Sequence, residues 1–248
     1  MPSLPPLSGA ATPPTSRAEL LERAHALAGS TISELAAELG VLREQVPHSQ
    51  LHAKGFVGAL IEKLLGASAT SKALPDFPEL GIELKTIPVR RDGRPRESTF
   101  VCTVELADIA DSEWETSRVR TKLAEVLWVP IEADPKVQLP ERRVGTPFLW
   151  KLEEADEATL RADWEELASL VGRGQTELIT AHLGVALQVR PKARDASARR
   201  RAFDEDGIAY RELPRGFYLR STFTEAIIAR QFGRRSRAQT NAPRMPNE

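Results

Sequence analysis

The chain has 248 residues, 41% hydrophobic and 28% charged, a globular composition long enough for one large domain or two small ones. Mean hydropathy is −0.32, and no run approaches the roughly 18 apolar residues of a membrane helix. One cysteine, Cys102, excludes an internal disulfide framework and a cysteine-based zinc site. These features predict a soluble protein of a reducing compartment, with a cytoplasmic location and no membrane partner. The net charge of −1 conceals an asymmetry: residues 190–248 hold 14 Lys+Arg against 7 Asp+Glu, and residues 1–189 hold 20 against 28. A basic C-terminal quarter suits a polyanion, and on charge alone it suits a basic tail without a role equally well.

In chain order, Met1–Thr15 carries five prolines, lacks the basic and apolar regions of a signal peptide, and reads as disordered. Ser16-x-x-Glu19 and Thr31-x-x-Glu34 are capping boxes that open two helices. Gly55–Leu65 reads as a third helix with Val57, Leu60, Ile61 and Leu64 on one face. Gly81–Val89 and Thr99–Glu105 read as strands, with Asp92-Gly93 as a hairpin turn between them. Glu125–Ile131 is a further strand. Glu153–Val171 is a long helix that buries Leu160, Trp164, Leu167 and Val171. Val185–Arg190 and Phe217–Arg220 are later strands, and Thr222–Phe232 is a last helix. The class is therefore α/β or α+β with a mixed sheet. One domain spans residues 16–232, between the N-terminal segment 1–15 and a basic, flexible tail over 233–248.

The densest chemistry lies at Asp76 and at Glu83-Leu84-Lys85. Period two puts Glu83 and Lys85 on one strand face, with Ile82 and Leu84 directed to the core. Two carboxylates beside a lysine suit a hard divalent cation and a water held near it, equipment for phosphodiester hydrolysis. The spacing alone carries little: an acid two residues before a lysine is expected about once by chance and occurs twice, at Glu83/Lys85 and Asp134/Lys136. Context separates them, since Asp134-Pro135-Lys136 reads as a loop and Glu83 and Lys85 sit in an apolar strand. A solvated strand face is the competing reading. On periodicity Glu62 is a solvated helix residue. His25, His48, His52 and His182 show no metal-binding spacing, and no phosphate-cradling glycine loop is present. Arg190-Pro191-Lys192 and Leu213-Pro214-Arg215-Gly216-Phe217-Tyr218 are basic and aromatic turns of the kind that meet phosphates and base edges. Solvated loops with a core tyrosine are the alternative.

Taken together these residues resemble the MutH DNA mismatch repair endonuclease family. The similarity runs through Leu65-Gly66-Ala67-Ser68, Leu80 to Val89, Trp114-Glu115-Thr116-Ser117, Arg142-Arg143-Val144-Gly145, Asp163 to Leu167, Leu187 to Lys192 and Leu213 to Leu219. The resemblance implies a restriction-endonuclease-like fold: a mixed sheet flanked by helices, with two lobes as arms around a DNA cleft. It further implies Mg2+-dependent nicking of the unmethylated strand at hemimethylated GATC, leaving a 5′-phosphate and a 3′-hydroxyl. By the same resemblance Asp76, Glu83 and Lys85 are catalytic, Glu62 is a further active-site carboxylate, and Asp76, Glu83 and the Leu84 carbonyl are metal ligands. Lys122 lies near the DNA, Arg190 and Lys192 fall in the recognition loop, and Tyr218 falls in the segment that senses adenine methylation; Arg215, in the second basic turn, is a further DNA-binding candidate. The implied partners are double-stranded DNA and a mismatch repair ATPase of the MutL type, with the protein a monomer. Arg118 and Thr121 stand where family members carry histidines, and the arginine-rich segment after Phe232 is outside the family pattern. Two other functions share these residues: a restriction enzyme cutting both strands, and a GATC-binding protein without hydrolysis.

Overall fold

The computed structural model describes residues 11–47, 50–106, 108–192, 200–203 and 208–233. Met1–Ala10 and the segment after Gly233 lie outside them, and with them most of both expected flexible ends. In chain order the elements are α1 (Arg17–Ala26), α2 (Ile32–Glu38), α3 (Gln50–Leu65), β1 (Glu83–Val89), β2 (Thr99–Thr103), α4 (Arg118–Leu123), β3 (Glu125–Glu132) and β4 (Phe148–Lys151). They continue with α5 (Glu154–Gly172), β5 (Leu187–Pro191), β6 (Arg200–Phe203), β7 (Ala209–Glu212), β8 (Arg215–Leu219) and α6 (Ser221–Gln231). This is the mixed α/β class expected. The chain divides into two compact units, residues 1–96 with 122–151 and residues 97–121 with 152–248.

In the first unit β1 pairs in parallel with β3, and β3 antiparallel with β4, so this small sheet is itself mixed. Thr31 and Glu34 close a full capping box on α2. Ser16 caps α1 through the Glu19 N–H, but the Glu19 carboxylate turns to the Thr15 N–H and hydroxyl instead. Leu20, Ile32, Leu35, Phe56, Leu60 and Ile61 are fully enclosed with Ile82, Leu84, Leu127 and Val129 of the sheet in one apolar cluster. Each such side chain contributes about 1.5–3 kcal/mol by leaving water. Order begins before Ser16: the Ala11 N–H donates to the Lys63 carbonyl, and an Arg23 N–H donates to the Thr12 carbonyl. Residues 11–15 are thus tied down by hydrogen bonds, to main chain and to side chains, that composition does not reveal.

The expected hairpin between residues 81–89 and 99–105 does not form. Asp92-Gly93 does turn the chain, with Gly93 at φ +76°, but only the single bridge Val89↔Pro95 follows. Pro95 has no N–H to extend a ladder. β1 takes β3 as its partner, and β2 joins the second unit, where it lies antiparallel to β8, which pairs in turn with β5. There α5 buries Leu160, Trp164, Leu167 and Val171, the stripe its period indicates. No helix of the described residues is long and apolar enough to cross a membrane.

Candidate active site and nucleic-acid interface

The first unit gathers five of the residues singled out. Phe77 and Ile82 exchange main-chain bonds of 2.9 and 3.2 Å, and Gly81, at φ +68°, supplies a left-handed turn that a side chain would strain. This tight loop feeds the chain into β1 and folds Asp76 back beside it, so that the Leu84 N–H donates to Asp76 Oδ2 at 2.9 Å. Glu83, only 3% exposed, is held between two ammonium groups. Lys85 Nζ lies 2.5 Å from Oε1, and Lys122 Nζ lies 2.7 Å from Oε2. Lys122 also donates to the Leu74 carbonyl at 2.9 Å. The reading of this strand as a solvated face is therefore overturned: a buried charge persists where it is paired and hydrogen-bonded.

Enclosure, then the charge of Glu83, raises the Asp76 carboxyl above its ordinary acidity, against the opposing Leu84 N–H and the two lysines. Partial desolvation, then Asp76 and Glu83, raises Glu62 in the same direction, although the residue itself is exposed to water. Glu62 is thus electrostatically part of the cluster, which periodicity alone misses.

These donors suit Mg2+. They are hard oxygens, and a cation offsets both the desolvation that chiefly lifts Asp76 and Glu62 and the repulsion from their neighbours that adds to it. Among the described residues no three His, Cys, Asp or Glu side chains form a metal cage by themselves. Mg2+ asks for less, commonly one or two carboxylates completed by waters and substrate phosphate. Each carboxylate oxygen accepts about two bonds, so the lysines leave Glu83 capacity for a cation.

The second unit gathers a basic and aromatic face. Gln188, Tyr218 and Phe100 sit opposite one another across β5, β8 and β2. The Phe100 and Tyr218 rings meet edge to face at 5.3 Å, and Lys192 Nζ lies 3.3 Å above the Phe100 ring. The Arg190 guanidinium stands 6.0 Å from the Tyr218 ring. Burial pushes the Tyr218 phenol above its ordinary pKa, with Arg190 opposing, so the hydroxyl stays neutral and able to donate and accept. Gly216 has no side chain because a Cβ there would lie 2.9 Å from the Phe100 ring. Sequence reasoning passed over Phe100, and a lone aromatic in an apolar strand carries no signal for such a role. Arg215 is not brought to this group. It shares a strand face with Phe217 and Leu219, opposite that of Tyr218, and its guanidinium turns to Glu212 at 3.5 Å. Arg118 pairs with Glu105 at 2.5 Å, and the Thr121 hydroxyl donates to the Ser117 carbonyl, so both substitutes for histidine make local bonds.

A carboxylate–lysine cluster with raised acids, enclosed at the start of a strand in a mixed α/β fold, is the kind of arrangement by which enzymes set the acidities of their groups. The family model described as DNA mismatch repair enzyme MutH matches residues 65–163. The chain is 48% identical to the DNA mismatch repair protein MutH of Vibrio parahaemolyticus, over 88% of this chain and 96% of that one. It is 48% identical to that of Yersinia enterocolitica over 93% and 97%, and 50% identical to that of Salmonella paratyphi B over 89% and 94%. The chain belongs to the MutH family of DNA mismatch repair enzymes.

Proposed function

We infer that this enzyme is a Mg2+-dependent endonuclease that nicks the unmethylated strand of duplex DNA at hemimethylated GATC in methyl-directed mismatch repair. The observation that carries this reading is the Glu83 carboxylate clamped by Lys85 and Lys122 beside Asp76. Asp76, Glu83 and the Leu84 carbonyl would hold the cation, and Glu62 would bind its waters. When bound, the cation supplies Lewis-acid stabilisation of charge on the phosphate. Glu83 fixes Lys85 at the cluster, where the ammonium orients the attacking water and, once it has lost its own proton, the neutral amine takes the proton of that water. Lys122 keeps the Glu83 carboxylate oriented and balances its charge, a closer involvement than lying near the DNA. The leaving oxygen departs as a 3′-hydroxyl and the phosphate stays on the 5′ end.

Arg190 and Lys192 meet the DNA, and Tyr218 tests the adenine edge, whose N6 amine is a major-groove donor. Lysine has no acceptor for that amine, whereas a neutral phenol does. Arg215 supports the turn through Glu212. The family resemblance further supports recruitment by a MutL-type ATPase, action as a monomer and a cytoplasmic location. Strand-resolved nicking of unmethylated, hemimethylated and fully methylated GATC duplexes tests the whole reading. Cuts confined to unmethylated strands, with the methylated strand intact, are expected. Coupled double-strand cleavage of one duplex would assign a restriction activity instead, and binding without cleavage in Mg2+ would remove the catalytic assignment.

A further inference from the structure

Gln188 is the central residue of β5, lies opposite Tyr218, and is 3% exposed. It therefore cannot read DNA itself, yet both ends of its amide are engaged. Its Oε1 accepts from Arg190 Nε at 3.0 Å, and its Nε2 donates to the Ser98 hydroxyl at 2.8 Å. The orientation of the amide follows from chemistry. Arginine offers only donors, so the atom facing Arg190 must be the oxygen. The amine must then find an acceptor on the other side, which the Ser98 hydroxyl provides. Arg190 is exposed, and a long exposed guanidinium samples many rotamers. The bond to Nε holds the guanidinium at its inner edge and turns the terminal amino groups away from Gln188. Its position 6.0 Å from the Tyr218 ring is the second restraint.

We propose that Gln188 is a positioning residue for DNA recognition: held by Ser98, it pre-orders the Arg190 guanidinium so that DNA meets a fork already aimed. This rests on the reading of Arg190 as a DNA contact. Ordering is supplied in the free protein, so the gain falls on affinity for duplex DNA rather than on the hydrolytic step.

The test is a double-mutant cycle in the full chain. The affinity for a fluorescent hemimethylated GATC duplex is measured with Ca2+ in place of Mg2+, and each variant's thermal midpoint is recorded. Gln188→Met keeps the volume and removes both bonds, and weakens binding roughly three- to tenfold, the equivalent of ordering one long side chain. In an Arg190→Ala background the same substitution leaves the dissociation constant unchanged. Ser98→Ala gives a smaller loss, about two- to fivefold, also abolished in Arg190→Ala, whereas Ser98→Thr, which retains the hydroxyl, binds as the wild type. A merely structural Gln188 predicts equal losses in both backgrounds and a fall in thermal midpoint that tracks them, and that result overturns the proposal. Should Gln188→Met not fold, the Ser98 pair decides by the same criterion. If Arg190→Ala alone binds as the wild type, it is the reading of Arg190 that fails, distinguishable because no Gln188 variant enters that comparison.

Discussion

Asp163→Ala removes a buried carboxylate of α5 on which the start of β5 hangs. Asp163 is 5% exposed. Its Oδ2 accepts from the Ala186 N–H at 2.6 Å and the Leu187 N–H at 2.7 Å, and the Val185 N–H reaches both oxygens at 2.8 and 2.9 Å. Gly184, at φ +79°, closes the loop so tightly that a Cβ would stand 2.0 Å from the Leu187 carbonyl oxygen. Val185 is 74% exposed, so water replaces its lost acceptor. Ala186 and Leu187 are fully enclosed, and their N–H groups are orphaned. Two hydrogen bonds to a charged group, at about 1.5–3 kcal/mol each, bracket the loss at roughly 3–6 kcal/mol, and partial relaxation places it near 4. With a urea dependence of about 2 kcal/mol per M, the midpoint falls by about 2 M. Asp163→Asn keeps one oxygen for Ala186 and Leu187 but turns an amine toward the Val185 N–H, and costs about half as much. Urea melts followed by tryptophan fluorescence and by far-UV dichroism measure both variants. A cost below about 1 kcal/mol for Asp163→Ala, or Asn costing as much as Ala, would refute the reasoning from these bonds.

Asp76→Ala and Glu83→Ala are expected to bind GATC duplex yet lose at least a hundredfold in Mg2+-dependent nicking, about 2.7 kcal/mol of barrier; substantial nicking by either would remove the metal assignment. Lys85→Arg keeps the charge but stays protonated and has a wider, planar head, so nicking rates should remain near those of Lys85→Ala. A near-wild-type rate would reduce Lys85 to a charge. Tyr218→Ser should nick methylated and unmethylated strands at similar rates. An added methyl against a packed ring costs roughly 1–3 kcal/mol, or about 5- to 150-fold discrimination in the wild type. Strand-resolved rates test this, and a retained wild-type ratio would show that Tyr218 is not the sensor.

Glu83 and Lys85 were legible because a strand's period of two forces their side chains to one face. Asp76 was legible only as an acid nearby, since its approach depends on the six-residue loop through Gly81. Periodicity placed Glu62 in solvent, and Glu62 is indeed exposed. What sets its character is the field of Asp76 and Glu83, to which a hydrophobic pattern is blind. Lys122 sits on a helix too short to show amphipathic spacing, and its buried ends on Glu83 and Leu74 come from distant chain. Asp92-Gly93 announced a turn correctly, but pairing is decided by which strand completes the sheet. The β6–β7 hairpin had no signal strong enough to be read, because its strands are short and polar.

Each compact unit is assembled from two separate stretches of chain, 1–96 with 122–151 and 97–121 with 152–248, and this bears on the route by which the protein folds. Glu83 waits 39 residues for Lys122, and β1 finds its parallel partner β3 only after β2, whose own partner β8 comes later still, has intervened in the chain. Non-local, parallel pairing of this kind closes long loops before contacts reward them, which slows folding. On a growing chain, the carboxylates at Glu62, Asp76 and Glu83 therefore emerge well ahead of the strand and the lysine that hold them. A fragment ending at Arg96 would contain four of the five clustered side chains and still lack β3 and Lys122, so it would carry the acids of the site without the site.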